Sequence, residues 1–146
     1  MLTRTVILIA GLASLTACNR LAHQSSAHLR LQDETKSIAD VANGLSAKLN
    51  LAAHKADFDY GGPTGRQTVY ELTSLSKVIF VQTESADFCS DQRDPEQPTF
   101  NDRLLVVSMG AASTDELARS MVALRQVSAA NGASVLTDIR QVCGRD

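Results

Sequence analysis

Histidines, carboxylates, serines and a glycine-rich turn are the groups in this 146-residue chain whose types and spacing could do chemistry. The three histidines are His23, His28 and His54. None has Asp, Glu or Cys at metal-ligand spacing. His54 reads as the end of a helix, where an imidazole complements the helix dipole. Residues 57–61 (Asp-Phe-Asp-Tyr-Gly) have the form of an opening calcium loop, but Gly61 stands at the third ligand position and Thr68 where a bidentate glutamate is needed. Asp87, Asp91, Asp94 and Glu96, with Arg93 among them, read as a solvated acidic loop, with loose cation binding or a hydrolytic site as the alternative. Residues 61–66 (Gly-Gly-Pro-Thr-Gly-Arg) lack the Lys-Ser/Thr ending of a phosphate loop and read as a turn. No Gly-x-Ser-x-Gly elbow occurs. The sequence therefore predicts no catalytic residue, no metal site and no cofactor.

The N-terminus carries a different chemistry. Residues 1–5 hold one positive charge, Arg4, and residues 6–15 are uncharged and apolar. This is the layout of a secretory signal, and the apolar run is far short of the about 20 residues that span a bilayer. At its end, Leu15-Thr16-Ala17-Cys18 resembles the lipobox of bacterial lipoproteins: a large apolar residue, two small ones and a cysteine. The resemblance covers residues 1–18. It implies a diacylglyceryl group on the Cys18 sulfur and cleavage between Ala17 and Cys18. Thiolate chemistry supplies the nucleophile, and the small neighbours let the backbone enter a peptidase cleft. Asn19 follows the cysteine where a retained inner-membrane lipoprotein often has aspartate, so the expected address is the outer membrane, facing the periplasm.

With Cys18 assigned to lipid, Cys89 and Cys143 remain. An even remainder in an exported chain predicts a Cys89–Cys143 disulfide, against two free thiols or an intermolecular bridge. Neither pairs as Cys-x-x-Cys, so a redox-active couple is not expected.

Cleavage after Ala17 removes the charge of Arg4 and takes the formal net charge from −2 to −3. No basic run is present, which argues against nucleic acid and against a polybasic grip on lipid. The chain has no tryptophan, four phenylalanines and two tyrosines, a poor stock for sugar-stacking platforms.

The elements that would have to position any site are legible in parts. Residues 19–32 read as a tether of at most ~50 Å when extended. Residues 33–54 read as one amphipathic helix, with Ile38, Val41, Leu45, Leu49 and Ala52 recurring at spacings of three and four. Residues 56–65 read as loop. Residues 67–72 fit a strand or a short helical turn, and residues 77–82 a strand. Residues 84–101 form a long polar stretch, restrained by the proposed disulfide. Residues 103–109 read as a doubly buried strand. Ser113 and Glu116 open a second helix with a reciprocal capping box, burying Leu117, Ala118, Met121, Val122 and Leu124. Asn131-Gly132 ends it and residues 133–142 form a closing strand.

The expected fold is α+β: an N-terminal amphipathic helix plus a three- to four-stranded sheet with a C-terminal strand–helix–strand unit, helices on one face. The expected organisation is a cleaved signal at 1–17, a lipidated cysteine and tether at 18–32, and a single periplasmic domain at 33–146. The expected function is a non-catalytic, lipid-anchored envelope module that binds a protein partner. The alternatives are a hydrolase using the acidic loop and a small-ligand carrier with a pocket between helix and sheet.

Overall fold

The computed structural model describes residues 21–61, 65–85 and 99–136. Cys18, Cys89 and Cys143, the Ala17–Cys18 cleavage site and the acidic cluster at 87–96 lie outside them. The elements run β1 (His23–Leu31), α1 (Ile38–Leu49), β2 (Ala52–Asp59), β3 (Arg66–Thr73), β4 (Lys77–Ser85), β5 (Phe100–Ala111), α2 (Thr114–Ala130) and β6 (Ala133–Leu136). The strands form one sheet in the order β2-β3-β4-β5-β1-β6, every neighbouring pair antiparallel.

Six strands replace the expected three or four, and the two unforeseen ones have physical causes. Residues 23–31 are not a tether. Ala27, Leu29 and Leu31 are buried and alternate with partly exposed His28 and Arg30, the period-two pattern of a half-buried strand. Polar residues at 23–26 dilute the mean hydropathy and hide that pattern from a reading by composition. β2 occupies residues expected as helix end and loop. Helix α1 stops at Leu49 because Asn50 takes a left-handed φ of 52°. The Leu51 amide then donates to the Ser46 carbonyl at 2.9 Å, and the Ser46 hydroxyl to the Leu51 carbonyl at 2.6 Å. At the other end, α1 starts at Ile38 rather than residue 33. Ser37 is its N-cap, and its amide donates to Asp40 Oδ2 at 2.7 Å. Asp33 instead makes a local turn, accepting from the Thr35 amide at 2.9 Å.

The C-terminal unit is also rearranged. β5 and β6 are each antiparallel to β1, so they run parallel to one another with β1 inserted between them. The strand–helix–strand unit is therefore split.

Both helices cover one face of the sheet. Leu29, Val41, Leu45, Leu72, Ile79, Val81, Leu105, Val107 and Leu124 meet there with no exposed surface. α2 presents Ser120, Ala123, Leu124, Val127 and Ser128 to this core. The expected stripe is rotated: Val122 is 53% exposed and Ala118 is on the surface. Small side chains on the true face let the helices approach closely. The cap of α2 is half as expected, for the Ser113 hydroxyl accepts from the Glu116 amide at 3.2 Å. The Glu116 carboxylate turns elsewhere, accepting from the Ser76 hydroxyl at 2.9 Å.

Against β4, the register of β5 jumps from Thr83↔Leu105 to Glu84↔Asn101, a bulge holding residues 102–104. The bulge delivers Arg103 to the β1–α1 connection. Its guanidinium donates to the carbonyls of Lys36 at 2.9 Å, Leu31 at 3.2 Å and Asp33. One side chain thus fastens a turn that no regular element supports.

Candidate functional site

The sheet face opposite the helices is built by the alternate residues of the same strands. Register puts Gln24, Ser26, His28 and Arg30 of β1 beside Gly110, Ser108, Val106 and Leu104 of β5. On the other side of β5 stand Val78, Phe80 and Gln82 of β4. Among the described residues, no helix or strand packs over this face.

A concavity of about 550 Å³ lies at one end of it, lined by Leu21, Gln24, Ser25, Ser26, Val78, Phe80, Ser108, Met109 and Gly110. Its shape follows from side-chain size. Ser108 and Gly110 make a low floor along β5, and a Cβ at Gly110 would be in ordinary contact with Val78 Cγ1 at 3.4 Å and Leu21 Cβ at 3.7 Å. Val78 and Phe80 form an apolar wall on β4, while Gln24 and Ser26 form a polar one on β1. Among the described residues, no charged side chain lines the groove.

Farther along the same face, His28 Nε2 lies 3.0 Å from Glu84 Oε2, spanning from β1 to β4 across β5. Both side chains are largely shielded, at 23% and 14% exposure. The bulge after Thr83 brings Glu84 within reach, and its other oxygen accepts from the Ser85 amide at 2.9 Å. A largely shielded carboxylate with polar partners at both oxygens is well satisfied. Next to it, the Gln67 amide donates to Gln82 Oε1 at 3.4 Å. This arrangement ties the middle strands together and orients an imidazole.

The remaining groups singled out in the sequence serve local structure. His54 is an exposed residue of β2, not a helix end. Asp57 accepts from the Thr68 hydroxyl at 2.7 Å and pairs with Lys55 at 3.0 Å. The Thr68 hydroxyl, then Lys55, hold its carboxyl below the usual range, and Asp57 raises Lys55 in turn. Asp59 accepts from the Gly61 amide at 2.9 Å, closing a turn in which Gly61 has a φ of 97°. Among the described residues, no three His, Cys, Asp or Glu side chains gather as a metal centre. Ser74-Leu75-Ser76-Lys77 has the Ser-x-x-Lys spacing of a serine nucleophile and its lysine, where no such motif was expected in the mature chain. It forms a tight turn instead, with the Ser74 amide donating to the Lys77 carbonyl at 3.0 Å.

The groove and the His28–Glu84 pair were not foreseen, because one wall of the groove and one partner of the pair come from β1. The signal was present in the alternation of residues 26–31.

No protein-family model matches the chain. No curated protein matches it either.

Proposed function

We propose that this chain is a lipid-anchored module of the cell envelope that binds a protein partner through the open face of its sheet. The observation that carries the reading is the neutral groove between β1 and β4, floored by Ser108 and Gly110. A partner segment with one apolar and one polar side would match its two walls, and no charge among the described lining residues would have to be desolvated. A diacylglyceryl anchor on Cys18, an outer-membrane address and a Cys89–Cys143 bond complete the reading. Two acyl chains give stable attachment where one would not.

A photocross-linker at Ser108, in cells producing the full chain, tests it. One discrete protein adduct is expected, and Gly110→Leu, which fills the floor, should abolish it while leaving the thermal melt intact. An unchanged adduct in that variant would sink the groove as the docking site. The groove also falls in the range of about 300–1,000 Å³ typical of small-molecule sites. A cross-linked neutral small molecule with no protein adduct would favour a carrier. Intact mass before and after thiol reduction and alkylation reports both the lipid on Cys18 and the state of Cys89 and Cys143.

A further inference from the structure

The strand register brings four junctions to one end of the sheet. Ala111 pairs with His23 on one side and with Lys77 on the other, and Ala52 pairs with Thr73. The entry to β1, the α1–β2 junction, the β3–β4 turn and the β5–α2 junction therefore share this end. Cys18 is three residues before Leu21, so along the chain the two are separated by at most ~11 Å.

Leu75, at the tip of the β3–β4 turn, is 86% exposed, whereas Phe58, Tyr60 and Val122 are 48%, 49% and 53% exposed. Lone exposed leucines are common and need no explanation by themselves. Two features set this one apart. Its turn is fastened through Ser76 to the β5–α2 junction: the Ala112 amide donates to the Ser76 carbonyl at 2.8 Å, and the Ser76 hydroxyl to Glu116 at 2.9 Å. The side chain is thus held out rather than swinging back toward the core. It also stands at the end where the chain enters from Cys18, between two and three strand spacings or about 10–14 Å from the start of β1. The groove lined by Leu21, Val78 and Phe80 opens at this end too.

We propose that this end is a bilayer-docking surface, with Leu75 inserted at the interface of the membrane that holds the anchor. The proposal rests on the lipid reading of Cys18. The short link from Cys18 keeps the end near the headgroups, where an apolar side chain leaves water at little entropic cost. Among the described residues, Lys48 and Lys77 are balanced there by Asp115 and Glu116, so the contact rests on apolar insertion, and zwitterionic lipid suffices.

The chain has no tryptophan, so Leu75→Trp is a unique fluorophore. The lipidated full-length product is reconstituted in phosphatidylcholine vesicles carrying acyl-brominated lipid, with Phe58→Trp at the far end of β2 as reference. Several-fold stronger quenching at position 75 than at position 58 is expected. Equal quenching in protein whose mass shows the diacylglyceryl group overturns docking and leaves the anchor standing. A mass without that group overturns both. A blue-shifted Leu75→Trp in the unlipidated Cys18→Ser variant without vesicles would point to self-association and overturn docking. Hydrogen exchange of the unsubstituted protein gives the same answer without a variant: residues 74–76 should slow on vesicles and residues 60–61 should not.

Discussion

Gly44 packs so closely on Val127 that a Cβ at position 44 would lie 2.8 Å from Val127 Cγ1. This contact sets the approach of α1 to α2 over the sheet. Valine in a helix is confined to essentially one rotamer and cannot swing aside. Gly44→Ala gains up to ~1 kcal/mol of helix propensity, yet overpacking costs ~1–3 kcal/mol. A net loss of about 1 kcal/mol is expected, seen as a lower midpoint in urea. Adding Val127→Ala should restore part of it, and a raised midpoint for Gly44→Ala alone would refute the close contact.

Arg103 is expected to be the most costly single polar residue to replace. Its guanidinium serves the carbonyls of Leu31, Asp33 and Lys36 at once. Hydrogen bonds from charged donors contribute about 1.5–3 kcal/mol each, non-additively. Arg103→Lys cannot reproduce a planar fork and should lose most of this stability. Hydrogen exchange at residues 32–36 should rise in Arg103→Lys well beyond that at β3. Uniform change across the sheet would count against a local role.

Acid should loosen the start of α1 before it unfolds the sheet. The Ser37 amide and then its hydroxyl hold the Asp40 carboxyl below its ordinary value of 3.8. The Thr35 hydroxyl and then its amide do the same for Asp33. A carboxyl depressed in the folded state contributes stability above its unfolded pKa, and that contribution is lost as pH falls through the folded value. The loss therefore begins below about pH 4. Asp40→Asn should remove the Asp40 part of this dependence and lower stability at neutral pH. Stability profiles of the two proteins that stay parallel down to pH 2 would contradict it.

Ser128 offers a gain. Its hydroxyl is buried in the helix–sheet core and has no hydrogen-bond partner among the described residues. Ser128→Ala removes an unsatisfied group and adds a better helix former, so stability should rise by about 1 kcal/mol. A lower melting temperature would show that the hydroxyl has a partner.

Legibility in the sequence followed the range of the signal. Residues 77–82 and 103–109 read as strands because Val78, Ile79, Phe80 and Val81, and Leu104 to Val107, make short β-branched or apolar runs, although Val78, Phe80 and Val106 turn out to face the open side rather than a second core. The Ser113 cap was visible because capping acts over three residues, although Glu116 was then claimed by Ser76, forty residues away in the chain. Residues 23–31 were missed because half of the strand has no apolar residue to mark its inner face. Residues 52–53 were missed because Ala52 and Ala53 continue the spacing of α1, and only the left-handed turn at Asn50 breaks it.

By itself, then, the sequence determined the local pieces: the core stripe of α1, the N-cap of α2, the central strands and the glycine turns. Those depend on periods and caps acting within a few residues. Tertiary structure alone decided that β1 slides between β5 and β6, that His28 meets Glu84 across β5, and that Ser108 and Gly110 become the floor of a groove. Each of these is a non-local strand pairing, and alternation marks a strand without saying which neighbour it will take.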